Sequence, residues 1–487
     1  MNRKLQCLYR SSLRSLTRMS VVLAALSFVF VFGCGGGSSS SDSNTNPPPA
    51  SSTALQINMG DAPVDWIVSL SIKVSSMSLT RTGASAVTVS DTSTPIELIS
   101  RLGTMEPVAL VSVPQGSYSG ANMTIASWTI AYLDPETGLQ QKTIEGPINV
   151  SVPFSSSVTV GTTPLAFNFD LDLLHSISGE TGSAFQLSPQ FHFSLGTSSS
   201  ANGNGMNARN GGMYQLMGVV TSTSSSGSFT VQALQSMSTY TFMVNTQTQF
   251  RGKVANMAQI AKGMGVLVTA ALQTDGTLLA KRVRATMSSG GAMGGGVITE
   301  VTTLPESSAA SSLTIVMQNG AGASINTDYL SKTLTVNLTG STTYDIDNDR
   351  VDLTGLPFTP TFNASNIYAG QTVLPLSDGE ITLNPSCDPT CGTMTASAVI
   401  LRERGFRGTT TVAITPGAIT SFTLTLPTDC AFTTLTGATE ILVYQQASTN
   451  VEDNQTITAG STLRVHGLPF KVGDQWVLVA STIAATT

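Results

Sequence analysis

The stretch "VSLSIKV" (residues 68–74) shows the pattern that decides the fold. Its apolar residues recur at every second position, and the side chains of a β-strand alternate between the two faces of a sheet. The same alternation returns in "VTVSD", "INVSVPF", "SVTV" and "LAFNFDLDL", with turn sequences such as "LDPETG" between these strands. Several short strands separated by turns predict an antiparallel β-sandwich over residues 55–196.

The sequence around this stretch resembles a known family. The segment "INMGDAPVDWIVSLSIKVSSMSL" is followed in order by "IELISRLG", "VPQGSYSGANMTI", "FNFDLDLLHS" and "FQLSPQF". Together they resemble the lipoprotein-associated family called domain of unknown function 4382, over roughly the 140 residues of the predicted sandwich. The resemblance implies an exported β-sandwich of unknown activity. Its most specific element is the turn formed by Asp61, Ala62, Pro63, Val64 and Asp65.

This turn has two interpretations. In the first, Asp61 caps the turn and Pro63 fixes its geometry. In the second, Asp61 and Asp65 meet Asp170 and Asp172, which lie far along the chain, at one edge of the sandwich and form a ligand site. The sequence leaves both interpretations open.

The N-terminal residues predict export and a lipid anchor. Five basic residues and no acid precede Met19–Phe32, an apolar run too short for a membrane-spanning helix, which needs about 20 residues, but typical of a signal peptide. The sequence "VFGC" that ends the run resembles a bacterial lipobox, which implies cleavage after Gly33 and acylation of Cys34. An ordinary signal peptide with an incidental cysteine is the alternative. By resemblance to enterobacterial sorting, Gly35 favours the outer membrane.

Composition narrows the class of protein. The chain has 23 basic and 29 acidic residues, and loss of the five signal-peptide bases leaves 18 against 29, a net charge of −11. No basic patch remains, so nucleic acid is not an expected partner. Charged residues are only 11% of the chain, which favours an exported β-protein. No G-x-S-x-G motif occurs, and His175, His192 and His466 are expected in structural or surface roles, which argues against a hydrolase.

From Gly218 onward the sequence repeats itself. Three units begin at Gly218, Gly296 and Gly408, each followed by a Ser-Phe/Leu-Thr strand, a Thr-x-Phe/Tyr strand end and a Gly turn before a Val/Leu strand, with substitutions in the later copies. This template resembles the family called domain of unknown function 5666, whose members are small β-barrel modules, and the first copy matches best. We therefore predict an all-β protein, an N-terminal antiparallel β-sandwich followed by two to three small β-barrels with disordered Gly/Ser-rich linkers. The predicted segments are the signal peptide 1–33, a disordered tether 34–54, the sandwich 55–196, a linker 197–214, a first barrel 215–287, a linker 288–296, a second barrel with insertions 297–404 and a degenerate third barrel 405–487.

The remaining cysteines suit an oxidising compartment. In "NPSCDPTCGT", the turn-forming Pro and Asp residues favour a disulfide between Cys387 and Cys391. Pairing of either cysteine with Cys430 is the alternative, and the odd count leaves one thiol over.

One segment is a candidate metal site. "YDIDNDRVDLTG" carries Asp345, Asp347, Asp349 and Asp352, and alternate carboxylates on a loop can converge on Ca²⁺. Arg350 stands where calcium loops place glycine, and the closing Glu is missing. A solvated loop is therefore the alternative to a calcium site, and no other cofactor is expected.

These features together favour a binding protein over an enzyme. Trp66 and Trp476 are expected to pack in the core or at a sheet edge, so exposed aromatic platforms for sugars are scarce. We expect a lipid-anchored, non-enzymatic surface scaffold or adhesion module of the cell envelope. Its partners would be the membrane, through the anchor, and an envelope protein or a glycan. The alternative is a glycan- or solute-binding lipoprotein that uses calcium, and a hydrolase ranks third.

Overall fold

The structure is a computed structural model in which Ala50–Thr487 form one compact unit. The signal peptide, Cys34 and the predicted tether up to residue 50 lie outside the described residues. The prediction of a disordered tether is wrong for residues 52–54, because they begin the first strand of the sandwich and pair with residues 112–114. None of the described helices has the length and apolar character needed to span a membrane. The structure describes residues 51–485 except 63–65, 91–93, 100–104, 135, 179–185, 198–211, 235, 304–307, 322–328, 388–389 and 453–455.

The described part of the chain is almost entirely β-structure, which confirms the predicted all-β class. The N-terminal module contains β1 (Ser52–Ala62), β2 (Ile67–Arg81), β3 (Val87–Ser90), β4 (Thr94–Glu97), β5 (Glu106–Pro114), β6 (Gly116–Asp134), β7 (Gly138–Val160), β8 (Leu165–Asp172), α1 (Leu173–Ser176), β9 (Ile177–Ser178), β10 (Gln186–Leu187) and β11 (Phe191–Thr197). One sheet has the order β11-β8-β1-β5 and the other β3-β2-β6-β7, with β4 also on β2. Side chains of both sheets, among them Trp128 and Phe167, share one core. Unlike the predicted antiparallel arrangement, β1 and β8 run parallel.

The alternating stretch 68–74 lies in strand β2, and its apolar side chains are buried in two different places. Leu70, Ile72 and Val74 face the sandwich core, as the alternation predicts. At the same end of β2, Val68 belongs to a different apolar cluster, and the polar residue Ser69 is fully buried. Both faces of the strand are buried here because another module covers the outer face of the sheet.

The first barrel follows the sandwich. It consists of β12 (Gly212–Ser224), β13 (Ser228–Ala233), β14 (Thr239–Met243), β15 (Gln249–Gly252), β16 (Gly265–Leu272) and β17 (Leu278–Met287), with a 3₁₀ turn at Met257–Gln259. The sheet order is β14-β13-β12-β16-β17-β15, and a parallel pairing of β14 with β17 closes the sheet on itself. The closed sheet encloses an apolar core that contains Phe229, Tyr240, Phe242 and their neighbours.

Two further sheets follow the first barrel. The second comprises β18 (Ala292–Thr303), β19 (Ala310–Ala321), β20 (Thr333–Asn337), β21 (Thr343–Ile346), β22 (Thr372–Ser377), β23 (Thr382–Leu383), β24 (Gly392–Thr395) and β25 (Ala398–Arg402). The third comprises β26 (Arg404–Thr409), β27 (Thr420–Thr425), α2 (Ala431–Thr436), β28 (Glu440–Gln445), β29 (Asn450–Val451), β30 (Thr462–Val472) and β31 (Gln475–Ala485).

The two later sheets repeat the strand order of the first barrel. The third has the order β28-β27-β26-β30-β31-β29 and is closed by a parallel pairing of β28 with β31. The second contains the order β20-β19-β18-β22-β25-β21, with β24 and β23 added beside β20. The long segments before β22 and before β24 are insertions into this common plan. Each of the three sheets therefore contains the same six-strand unit.

The three opening glycines occupy one structural position. Gly218, Gly296 and Gly408 lie in the first strand of each unit, where the second strand crosses it closely. A Cβ atom at any of them would collide with a backbone carbonyl oxygen of that second strand, from Gln232, Val316 and Thr425 respectively. Only glycine allows this close approach, which explains why the repeat begins with it.

The predicted linker 288–296 is wrong over its second half. Ala292–Gly296 are the first residues of β18, in which the run from Ala292 to Ile298 is fully buried. A Cβ at Gly295 would collide with the Asn319 side chain, so this glycine also serves packing rather than flexibility. Of the other predicted linker, 197–214, Thr197 ends β11, Gly212 and the residues after it belong to β12, and residues 198–211 lie outside the described part.

Candidate functional site

Arginines from the first barrel surround Asp349, one of the four predicted calcium ligands. Its two carboxylate oxygens each lie 2.9 Å from a guanidinium, one of Arg251 and one of Arg282. The Asp349 side chain is only 3% exposed, whereas Arg251 is 48% and Arg282 23% exposed. The carboxylate of this ionic contact is therefore buried, whereas the two guanidinium groups are partly solvated.

The neighbouring acids extend the same network. Asp347, 4% exposed, lies 3.3 Å from the Arg402 guanidinium and 3.7 Å from that of Arg284, and Arg284 also pairs with the exposed Asp345. Asp352 stands apart, because its carboxylate accepts hydrogen bonds from the backbone N–H and the hydroxyl of Thr354. Within the described residues, no three His, Cys, Asp or Glu side chains are grouped to hold a metal ion. Calcium binding by these acids stays a prediction, and in the structure three of them neutralise arginines.

Strand alternation brings this network together. Arg282 and Arg284 are two residues apart on β17 and so point to one side, and Arg251 of β15 lies opposite Arg284 in the register. The sequence "RVR" thus presents two cations to the alternating acids of "DIDND". The sequence carries a signal for this network, namely two alternating stretches of opposite charge, although the acids taken by themselves suggest a calcium site.

Apolar contacts accompany the charges at the module boundaries. The cluster between the first and second barrels contains Met217, Leu267, Met287, Met293, Leu374, Leu376 and Ile400. A second cluster joins the sandwich to both later barrels through Val68, Ala131, Leu133, Val297, Val316 and Ala431. Tyr240 of the first barrel donates a hydrogen bond to the Pro107 carbonyl of the sandwich at 3.0 Å. The four modules are therefore joined by buried contacts.

The second and third barrels share a core. Leu468, Phe470, Val477 and Val479 of the third pack into the core of the second. Arg404, half-buried, lies over the rings of Phe406 and Phe432, and desolvation lowers the pKa of its guanidinium to about 10.

A polar cleft of about 230 Å³ lies where the second barrel meets the sandwich. Its floor is the outer face of the β2–β6–β7 sheet. Ser71 lies opposite Thr129 of β6, which in turn lies opposite Thr143 of β7. Lys73 lies opposite Ser127 in the next row. Cross-strand partners place their side chains on the same face, so these polar groups form one surface.

The second barrel closes the cleft on the other side. Leu330 and Lys332 complete the lining, and the residue between them, Ser331, is anchored to the sandwich. The Ser331 hydroxyl lies 2.8 Å from that of Ser69, and the Gln141 side chain donates to the Ser331 carbonyl at 3.0 Å. Ser331 has a φ of 65°, a left-handed conformation that is rare outside glycine. These contacts hold a strained residue at the edge of the cleft.

The carboxylate of Asp172 joins two of the three histidines. Its Oδ2 lies 2.6 Å from His175 Nδ1 and 3.3 Å from His192 Nε2, with both rings more than 70% exposed. Burial raises the pKa of Asp172, but the hydrogen bonds from these two residues more than offset it, so its pKa lies below the usual range. The backbone register sets Asp61 beside Leu171 on the parallel strand β8. The proposed edge therefore brings the backbone of Asp61 near Asp170 and Asp172, while residues 63–65 of the motif turn lie outside the described part.

The cysteines and tryptophans lie in structural positions. A disulfide joins Cys387 to Cys391 in the insertion before β24, and Cys430 is buried in the core of the third barrel. Trp476 packs edge to face on Phe432 in that core, with ring centroids 4.8 Å apart. Trp66 packs in the same manner on Tyr132 of the sandwich.

His466 is buried in the third barrel. Burial, together with the charges of Arg350 and Arg464, holds the pKa of its imidazole well below the usual value. It is therefore a neutral core residue at physiological pH.

Comparison with known proteins identifies a family for one part of the chain and gives a distant likeness to solved structures. Residues 217–284 match the family model Domain of unknown function (DUF5666), which is the first barrel. No curated protein matches the chain. A solved structure, the crystal structure of wild-type single-stranded DNA binding protein from Thermus aquaticus, is similar at 12% identity, covering 40% of this chain and 92% of that one, with a TM-score of 0.14.

Proposed function

We propose that this chain is a lipid-anchored, non-enzymatic scaffold or adhesion protein of the bacterial cell envelope. In this proposal Cys34 carries the acyl chains that hold the protein in the outer membrane, and the residues between Cys34 and β1 form the tether. Residues 55–196 are a sandwich of the type called domain of unknown function 4382. The modules beyond it present their surfaces to an envelope partner.

One observation carries the proposal: the modules are joined by buried contacts. The ionic network fixes the first barrel on the second, and the shared core fixes the second on the third. A fixed arrangement costs less conformational entropy when several surfaces bind one partner together. The long edge strand β7 adds a surface suited to strand pairing with another protein.

Two variants of the full chain test the two parts of this proposal. Cys34→Ser removes the acylated thiol, so the protein should leave the membrane fraction and lose fatty-acid labelling. A double variant, Arg282→Met with Arg284→Met, should keep each barrel folded while loosening the first barrel from the second. Crosslinking in intact cells, followed by mass spectrometry, should show a specific partner of the wild type that the double variant captures poorly.

The matched control is Lys262→Gln, an exposed residue of the first barrel. It should capture the same partner as the wild type. Equal capture by the double variant would show that the module arrangement is irrelevant to function. Continued membrane labelling of Cys34→Ser would remove the lipid anchor from the proposal.

A further inference from the structure

We propose that the cleft between the sandwich and the second barrel is a binding site for a small oxyanion-bearing molecule, such as an acidic monosaccharide unit. This proposal names a class of ligand for the alternative function, a solute-binding lipoprotein. It stands whether or not the chain also recruits a protein partner.

The charge of the cleft is the first argument. Lys73 and Lys332 line it from opposite modules. Among the described residues neither ammonium is paired with a carboxylate, and Lys332 makes only a contact over the Tyr329 ring, at 5.7 Å. Lys253, by contrast, is paired with Asp378 at 2.6 Å. Two unneutralised lysines facing one cavity therefore create a local positive potential.

The hydroxyl groups are the second argument. Ser71 is only 6% exposed, yet its hydroxyl has no hydrogen-bond partner within the described part of the chain, and neither does that of Ser127. Ser71 is largely buried and Ser127 half-buried, and because both side chains line the cleft, their hydroxyls are available to a bound molecule. Thr129 and Thr143 already share a hydrogen bond of 3.2 Å and form the far wall. The free hydroxyls and the two ammoniums together provide donors for a hydroxylated anion.

The carboxylates nearby define which end of the cleft takes the anion. Glu97 lies opposite Ser71 in the register, but its Oε1 accepts hydrogen bonds from the Ser69 hydroxyl and the Leu70 N–H, both at 3.1 Å. Glu145 lies opposite Ser127 on the exposed edge strand β7 and does not line the cleft. The anionic group is therefore expected at the lysine side and the sugar hydroxyls along the serine row.

The size of the cleft limits the ligand. About 230 Å³ is below the roughly 300–1,000 Å³ typical of sites for drug-sized molecules. The cleft therefore suits one sugar ring or a smaller anion. Lysine, unlike arginine, offers no planar fork that selects one oxyanion geometry, so carboxylate and phosphate are both compatible with the charge.

Calorimetric titration of the full chain in detergent tests the proposal with four probes: glucuronate, glucose 6-phosphate, inorganic phosphate and glucose. Saturable binding of glucuronate or glucose 6-phosphate is expected, with glucose much weaker. Lys73→Gln and Lys332→Gln should each weaken it about tenfold, since each removes a charge-assisted hydrogen bond. Lys262→Gln is the matched control and should bind as the wild type.

Each result of these titrations either identifies the group that the cleft recognises or overturns the proposal. Preference for glucuronate identifies a carboxylate sugar, and preference for glucose 6-phosphate or equal binding of inorganic phosphate identifies a phosphate group as the recognised element. Glucose binding as tightly as the acids would overturn the proposal. So would the absence of saturable binding, or unchanged affinity in both lysine variants, provided that their thermal melting matches that of the wild type.

Discussion

Asp349→Ala is the substitution that separates an ion-pair network from a calcium site. In the structure the carboxylate is 3% exposed and contacts two guanidiniums at 2.9 Å. Removing one partner of a buried pair costs about 3–5 kcal/mol, because the remaining charge is left uncompensated. Arg251 is nearly half exposed and regains water when the carboxylate is lost. We therefore expect the lower end of the range, about 3 kcal/mol.

Asp352→Ala is the matched control, from the same acidic segment. Its carboxylate accepts two hydrogen bonds from Thr354 and contacts no arginine. The loss should stay below about 1 kcal/mol, the net value of an ordinary exposed hydrogen bond. Urea unfolding at constant pH, with excess calcium and with a chelator, measures both variants against the wild type.

A third variant tests whether the charges themselves stabilise the protein. Replacing both partners, Asp349→Leu with Arg282→Met, removes the buried charge together with its counter-charge and should recover part of the loss. The reasoning fails if Asp349→Ala and Asp352→Ala are equally costly. It also fails if calcium raises the unfolding midpoint of the wild type and neither single variant responds, since the acids would then act together on a cation.

Three further predictions concern the barrels and their core. Thr248→Val should lower the free energy of unfolding by about 1–3 kcal/mol, because the Thr248 hydroxyl accepts a hydrogen bond from the Asn245 N–H and donates one to a carbonyl of β17. Urea unfolding measures this loss, and an unchanged unfolding midpoint would contradict the prediction. Gly296→Ala should cost at least as much through the collision with β19, whereas Gly340→Ala, with open space around it, should be nearly neutral in the same assay. His466 is neutral when folded and takes a proton when unfolded, so stability falls as pH drops below about 6.5. His466→Gln should flatten that fall, as measured by unfolding midpoints across pH, and an equally steep fall would rule out this imidazole as the cause.

Much of the fold could be predicted because it depends on local pattern. Alternation predicted strands such as β2, and the recurring Gly and Thr positions indicated a repeat. The structure explains the recurring threonine: each repeat buries one hydroxyl, which accepts the backbone N–H three residues earlier and donates to a carbonyl in or beside the last strand. These hydrogen bonds, of 2.7–2.8 Å, run from Thr248 to Ala280, from Thr342 to Ala396 and from Thr449 to Ala480.

The glycine run before β18 could not be predicted in the same way. Composition alone does not distinguish a flexible linker from a strand whose neighbour approaches too closely for a Cβ. Gly295 and Gly296 belong to the second class because β19 crosses them, which is a property of the partner strand. The sequence up to residue 296 contains no information about β19, because that strand begins later in the chain, at Ala310.

The same limit explains why the candidate sites were incompletely predicted. Asp349 and Arg282 are 67 positions apart in the sequence and belong to different modules, and Lys73 and Lys332 are further apart still. Charges at such distances acquire a role only when modules pack against each other. In this chain the acids at the barrel boundary are paired with arginines, whereas Lys73 and Lys332 line a cleft and have no carboxylate partner among the described residues. This difference is why the cleft, and not the acidic segment, is the stronger candidate for ligand binding.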